Sequence, residues 1–399
     1  MRGAVSMEEA ALELRETIRS DLDYAAIYTD EALRSLVLRR VAAAGRERRW
    51  TSDERMWIAE RVLASFRGLD ILEPLLADSE VTEIMVNGHE EIFYEKGGRL
   101  NRYPHRFESR ERLEDIIQSI VSKVNRTVNE ASPIVDARLP DGSRVNAVLP
   151  PVALKGPTLT IRKFPETPVT MDRLVEWGAI TPEAASFLQD AVREKRNIFI
   201  SGGTGSGKTT MLNVLAQSIP DGERVITIED SAELQLPTLS NVVALETRTA
   251  NTEGKGEITI RQLLRAALRM RPNRIVVGEV RGAEALDMLQ AMNTGHEGSL
   301  STGHANTVKD MLGRLETMAI GGSELPIGVI RQQIASALHL IVHVSRMADY
   351  SRKVTEITAV DGLANGEYLL RKIYVRESEG SGAGQLRFLQ ERGRRGSDV

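Results

Sequence analysis

The chain has 399 residues, of which 41% are apolar, 27% charged and 4% aromatic, a globular profile that excludes a chain too polar to fold. Fifty-two Lys and Arg against 56 Asp and Glu leave a formal charge of −4, which argues against nucleic acid as the main partner, because phosphate binding leaves a basic footprint. Cysteine is absent, which excludes disulfides, thiolate metal sites and a Cys nucleophile together and fits a reducing cytoplasm.

No run approaches 18 consecutive apolar residues, and residues 1–7 lack an apolar core, so neither a membrane span nor a signal peptide is expected. Residues 8–68 are charged and rich in Ala and Leu, with apolar residues at helical spacing such as Leu33, Leu36, Val37 and Val41. They predict a small helical region over 1–68. Its basic stretch, Arg39, Arg40, Arg46, Arg48 and Arg49, reads as a solvated helix face.

From Leu69 the texture changes to short β-like runs at 81–86 and 91–94, separated by Asn87-Gly88 and followed by Gly97-Gly98. A helix over 113–124 and strands over 137–139, 145–149 and 159–161 complete an α+β domain, residues 69–165. Pro165, Pro168 and a short helix over 174–177 make a hinge into the next part.

Residues 166–375 form the second large domain, in which strands at 197–201, 224–228, 274–279, 298–302 and 338–345 alternate with helices at 208–218, 259–270, 283–293 and 307–318. That alternation predicts an α/β fold, a parallel sheet with helices on its faces. The tail, 376–399, is rich in Gly, Ser and Arg and reads as mobile.

The segment Gly202-Gly203-Thr204-Gly205-Ser206-Gly207-Lys208-Thr209 matches G-x-x-x-x-G-K-[ST], follows an apolar strand and runs straight into a helix that also takes in Thr210. Its glycines let backbone N–H groups turn toward phosphate oxygens and the helix N-terminus adds positive potential. Lys208 reaches the terminal phosphates, and Thr209 offers a hydroxyl to Mg²⁺.

In open α/β sheets ligands bind at the carboxyl ends of the strands. Those ends deliver Glu229-Asp230, Gly278-Glu279 with Arg281 two residues on, and His304. A carboxylate there can hold Mg²⁺ or position a water, so Thr209, Glu229 and Glu279 are the candidate metal residues. Arg281 or His304 can offset charge in phosphoryl transfer.

Thr-Gly-His occurs twice at an eight-residue interval, placing His296 and His304 at opposite ends of one strand. With no Cys and no third His nearby, a zinc pair is set aside. His296 is kept as a candidate near the nucleotide, although its position suits ordering of the loop; His89, His105, His339 and His343 read as structural. Arg138, Arg144 and Arg162 lie in strands that otherwise bury apolar residues, and are candidates to complete a γ-phosphate site from a neighbouring domain or subunit.

The ordered boxes G-G-T-G-S-G-K-T-T (202–210), I-T-I-E-D-S-A-E-L (226–234), L-R-M-R-P-N-R-I-V-V-G-E-V-R (268–281) and T-G-H-E-G-S-L-S-T-G-H-A-N-T (294–307) resemble the Walker A, Asp, Walker B and His boxes of the secretion-superfamily ATPases, which power type II secretion, type IV pili and type IV secretion. Upstream, the stretches 73–88, 132–151 and 156–164 resemble the CpaF/TadA branch, which serves tight-adherence (Tad) pili. The resemblance covers roughly 65–375 and implies a RecA-like P-loop core behind the α+β domain. It also implies a homohexamer with ATP bound between the N-terminal domain of one copy and the core of the next.

On that resemblance Lys208 and Thr209 take the Walker A roles, Glu229 is the Asp-box carboxylate, Glu279 the Walker B glutamate that positions water, His304 a γ-phosphate contact, and Arg138, Arg144 and Arg162 the N-domain arginines. ATP and Mg²⁺ are the implied cofactors, inner-membrane platform proteins the implied partners, and a cytoplasmic site at the inner membrane the implied location. The missing cysteines separate the chain from relatives with a tetracysteine zinc element. The expected activity is ATP hydrolysis driving Tad pilus assembly, with a type II or type IV secretion ATPase as the alternative. A nucleic-acid motor fits less well, since single-strand channels combine a basic groove with stacking aromatics; a non-hydrolysing scaffold does not account for Glu229, Glu279 and His304.

Overall fold

The computed structural model describes residues 7–22, 29–124, 126–164, 167–248, 250, 255–379 and 382–389. The chain divides into two compact units, Met1–Glu166 and Thr167–Val399.

The first unit opens with helices α1 (Met7–Asp21), α2 (Asp30–Arg48) and α3 (Ser52–Arg67). Thr29 and Thr51 cap the second and third, and Glu54 returns a bond to the Thr51 backbone to close a capping box. Ile18, Val37, Val41, Ile58 and Val62 form the core of this bundle. A 3₁₀ turn (Asp70–Leu72) and α4 (Glu73–Ala77) follow. Asp70 is buried in that turn and joined to Arg61 of α3 and to Arg112.

Next come β1 (Val81–Asn87), β2 (Ile92–Lys96), β3 (Arg99–Arg102), α5 (Arg110–Lys123), β4 (Ile134–Arg138), β5 (Arg144–Val148) and β6 (Thr158–Arg162). They make one antiparallel sheet in the order β3-β2-β1-β6-β5-β4. Period-2 alternation sends Ile84, Val86, Val145, Ala147, Leu159 and Ile161 to one face, in the same core as Leu113, Ile117 and Ile120 of α5. The other face is mainly polar, with Met85, Ile134 and Val148 among its charged and hydroxyl residues.

The second unit starts with α6 (Met171–Glu176) and α7 (Pro182–Arg193). Then follow β7 (Ile198–Gly202), α8 (Lys208–Ala216), β8 (Val225–Glu229), β9 (Val242–Glu246), α9 (Ile260–Ala267), β10 (Arg274–Val277), α10 (Glu284–Asn293), β11 (Leu300–His304), α11 (Val308–Gly321), α12 (Ile327–Ala337) and β12 (Leu340–Arg346). Strands β13 (Arg352–Ala364), β14 (Glu367–Glu379) and β15 (Gly382–Phe388) close the unit. The nine strands lie in the order β15-β14-β13-β12-β7-β11-β10-β8-β9. The six from β12 to β9 are parallel and the three from β13 to β15 antiparallel. Central strands buried on both faces, such as Ile198-Phe199-Ile200 and Ile275-Val276-Val277, separate two apolar cores.

The α/β core with a parallel-rich sheet behind an α+β domain is therefore present. Within the stretch expected as a mobile tail, 376–399, residues 376–379 and 382–388 belong to strands. Strand β14 continues to Glu379 and β15 pairs with it, because Leu386 is buried and Phe388 lies with its ring 5.4 Å from that of Tyr374. Residues 390–399 lie outside the described residues, as does Pro165 of the expected hinge.

Candidate nucleotide site

The parallel register fixes which residues reach the same edge of the sheet. Gly202, the last residue of β7, pairs with His304 of β11, and Val277 of β10 pairs with Ile228 of β8. The carboxyl ends therefore present the 202–208 loop, Glu229, Gly278-Glu279 and His304 side by side.

The loop leaves β7 through residues that only glycine suits. Gly205 and Gly207 have φ of 68° and 93°, and a Cβ at Gly202 would stand 2.3 Å from the Val344 carbonyl and 2.6 Å from Ser206 Oγ. Lys208 opens α8 with its side chain turned back, donating to the Gly203 carbonyl at 2.9 Å. Ser206 is 2% exposed and its hydroxyl has no protein partner. A buried ammonium, an orphaned hydroxyl and a helix N-terminus around one turn fit the phosphates of a nucleotide.

Gly203 borders open space and Thr204 is exposed, while Thr209 and Thr210 sit half-buried in the first turn of α8. Among the described residues no group of three or more His, Cys, Asp or Glu could hold a metal. Thr209, the candidate hydroxyl ligand, lies in the first turn of α8 directly after Lys208.

Charged groups at the three strand ends form a chain. Lys208 Nζ faces His304 Nδ1 at 3.3 Å, and His304 Nε2 lies 2.9 Å from Glu279 Oε1. This last pair lacks hydrogen-bond alignment, so Oε1 is buried without a donor. Glu279 Oε2 accepts from Arg281 at 2.8 Å, and Arg281 also stands 3.6 Å from Asp230. Burial pushes the His304 pKa below its ordinary value, with Lys208 and Arg281 acting against the opposite pull of Glu279. His304 is therefore neutral near pH 7, accepting at Nδ1 from Lys208 and carrying its proton on Nε2.

Glu229 behaves differently. It is 3% exposed and accepts from the backbone N–H of Glu233 at 2.9 Å and of Leu234 at 3.2 Å. Burial raises its pKa to about 7 against those two hydrogen bonds. Gly278 makes room for it, since a Cβ there would come within 2.9 Å of Glu229 Cγ. In this structure the Glu229 carboxyl caps the 230–234 loop, whereas Glu279 meets His304.

The structure also supplies residues that no motif announced. Arg352, the first residue of β13, donates from Nε to the Gly205 carbonyl at 3.1 Å, and its aliphatic stem lies against Gly207. Arg346 ends β12 over the ring of Tyr350, 5.0 Å from its centre, with a guanidinium nitrogen near Gly205. Lys353 donates to the carbonyls of Trp177 and Gly178, both at 3.0 Å. The hint in the sequence was the Arg-Lys pair after Asp349-Tyr350-Ser351, which has no nucleotide signature of its own.

His296 is not brought to Lys208. It precedes β11 at the amino end, its carbonyl accepts from Ser299 Oγ at 2.7 Å, and its buried Nδ1 has no partner. His343 bonds Ser201 Oγ at 2.8 Å and His339 accepts from the Asn197 N–H at 2.9 Å, both structural contacts.

In the first unit, cross-strand register aligns the three arginines. Arg138 pairs with Arg144, Arg144 with Arg162 and Arg162 with Glu83, all on the polar face of the sheet. Arg162 approaches Glu83 only to 3.9 Å. The register thus brings three guanidinium-bearing positions into one row across β4, β5 and β6.

A family model described as type II/IV secretion system protein matches residues 66–392. This chain belongs to that family of secretion ATPases. It is 39% identical over 300 residues to a Mycobacterium tuberculosis chain named for conjugal transfer, covering 73% of this chain and 84% of that one. It is 35% identical over 322 residues to the type IV secretion system protein PtlH of Bordetella pertussis, covering 74% and 95%. Among solved structures, the Legionella pneumophila ATPase DotB superposes with a TM-score of 0.54 at 24% identity over 72% of this chain and 80% of that one. The pilus retraction motor PilT with bound ADP gives 0.51 at 18% identity over 81% and 83%. These two likenesses show that the secretion ATPase fold is shared. No helix among the described residues is long and apolar enough to cross a membrane.

Proposed function

We propose that this chain is the ATP-hydrolysing motor subunit of a type IV secretion or conjugal-transfer machine, hydrolysing ATP to ADP and phosphate. The observation that carries the reading is the convergence of Lys208, His304 and Glu279 at the mouth of the 202–208 loop. Loop amides and Lys208 bind the phosphates, Glu279 accepts a hydrogen bond from the attacking water, and neutral His304 supplies an Nε2–H donor beside it. Thr209 would offer its hydroxyl to a Mg²⁺ ion bound with the nucleotide, and the ion would supply positive charge against the phosphates.

The row of Arg138, Arg144 and Arg162 serves a nucleotide held by a neighbouring copy in a homohexamer, and a platform protein at the inner membrane receives the work. Each cycle moves residues 69–165 against residues 166–375. Relatives named for conjugal transfer and type IV secretion favour substrate export over pilus assembly. Tad pilus assembly is the second reading, supported by the stretches 73–88, 132–151 and 156–164.

Two experiments test this. Purified chain should release phosphate from Mg-ATP, and Lys208→Ala should not; equal turnover in both sinks the site. Deletion in the source organism should abolish transfer of DNA or protein and leave surface pili intact, whereas loss of pili with normal transfer selects the Tad reading.

A further inference from the structure

A phosphate loop works only if its amides point inward, and an isolated glycine-rich turn has little to hold its peptide planes in that sense. In this chain the plane between Gly205 and Ser206 is held from outside. Arg352 Nε donates to the Gly205 carbonyl at 3.1 Å. Because N–H and C=O of a trans peptide point in opposite directions, a carbonyl fixed toward Arg352 turns the Ser206 N–H to the other side. That N–H faces the Gly203 carbonyl at 3.4 Å, the same oxygen that takes the Lys208 ammonium at 2.9 Å. The Ser206 amide and Lys208 thus converge on the inner side of the loop.

The stem of Arg352 adds a second hold. Its Cδ lies 3.4 Å from where a Cβ of Gly207 would be, so one side chain spans both positive-φ glycines of the loop. Arg352 itself is anchored at the start of β13, whose neighbour Lys353 is bonded to two carbonyls and whose Val354 is buried. A rigid strand therefore supports the turn.

We propose that Arg352 is a positioning residue for nucleotide binding, holding the Gly205–Ser206 peptide with its amide turned toward the phosphates. It acts through the loop backbone and does not itself touch the nucleotide. The inference rests on the nucleotide-binding reading of the 202–208 loop. Since the amides of the loop serve phosphates that ATP and ADP share, losing the contact weakens both nucleotides by one factor.

The test uses the full chain, with Kd for ADP and for a non-hydrolysable ATP analogue measured by calorimetry, KM and kcat by phosphate release, and Tm without nucleotide. Arg352→Ala should raise both Kd values about tenfold, the weight of one charge-assisted hydrogen bond. It should raise KM in step, leave kcat within about twofold and leave the nucleotide-free Tm unchanged, as expected for an exposed side chain. Arg352→Lys, which retains a donor, should recover most of the affinity.

Unchanged Kd in Arg352→Ala overturns the proposal, and so does a lysine variant as weak as alanine. A loss confined to the ATP analogue means that the guanidinium reaches the γ-phosphate directly, which also overturns a positioning role. A lowered nucleotide-free Tm would show a role in stability and overturn it as well. Wild-type chain that binds neither nucleotide overturns this proposal and the function together, whereas normal wild-type binding with indifferent variants overturns this one alone.

Discussion

Glu279 Oε1 lies 2.9 Å from His304 Nε2 without accepting a hydrogen bond, while Oε2 is taken by Arg281. One oxygen of the carboxylate is thus fixed and the other is buried and unoccupied by a donor. An oxygen in that condition can accept from a water, and the neighbouring His304, kept neutral by burial, places no competing positive charge on it.

Glu279→Gln should keep nucleotide binding and lose turnover by about a thousandfold, within the range for removing a positioned base. Lys208→Ala should instead lose binding. Single-turnover phosphate release together with ADP titration separates the two; a glutamine variant that turns over at the wild-type rate would remove Glu279 from the mechanism.

Glu229 gives a pH dependence of known sign. Its carboxyl titrates at about 7 in the folded chain against an ordinary 4.5, so between those values the folded chain binds the extra proton. Its contribution to stability is full below about pH 4.5 and is lost as pH rises through 7, by about 3 kcal/mol in all. Glu229→Gln keeps an acceptor for the Glu233 and Leu234 amides and cannot ionise. Denaturant unfolding from pH 5 to 8 should fall less steeply for glutamine than for wild type, and parallel curves would refute the burial argument.

Gly278→Ala should cost about 1–3 kcal/mol, because the new Cβ would stand 2.9 Å from Glu229 Cγ. In a Glu229→Ala background that atom is gone, so the second substitution should be nearly free. A double-mutant cycle in urea measures the coupling, and additivity within about 0.5 kcal/mol would contradict the packing relationship.

Arg144 is the middle of the arginine row. Arg144→Ala should change Tm by no more than an ordinary half-buried surface substitution does, while ATP turnover at protein concentrations that support assembly falls about a hundredfold or more. A variant with lowered Tm and normal specific turnover would make the row structural.

The phosphate loop, the strand-end carboxylates and the alternation of 197–345 were legible because each rests on local pattern: a fixed spacing, an apolar run, a helix following a strand. The arginine row was visible only as three separate residues; its alignment depends on register between β4, β5 and β6, which no single strand encodes. The division of labour between Glu229 and Glu279 was hidden for a related reason. Both end apolar strands, and what separates them is the return of the 230–234 loop, whose amides claim Glu229. Strand β9 went unread because Val242–Glu246 carries a single alternation at the sheet edge; helix α7 was missed although Thr181 and Pro182 mark its start and Ala184, Ala185, Leu188, Ala191 and Val192 keep helical spacing, three of them alanines that add little to an apolar pattern. Strand β15 was disguised by Gly-Ser-Arg composition, although Leu386 and Phe388 keep the two-residue period.

Arg352 and Lys353 leave the strand in succession, one bonded to the Gly205 carbonyl, the other to the carbonyls of Trp177 and Gly178. Successive side chains of a strand point to opposite faces, so the beginning of β13 is a crossbar with an arm on each side. Residues 177–178 close the short helix that follows the chain's passage between its two units. The 202–208 loop and the end of that helix are therefore held by side chains that leave the backbone one peptide unit apart.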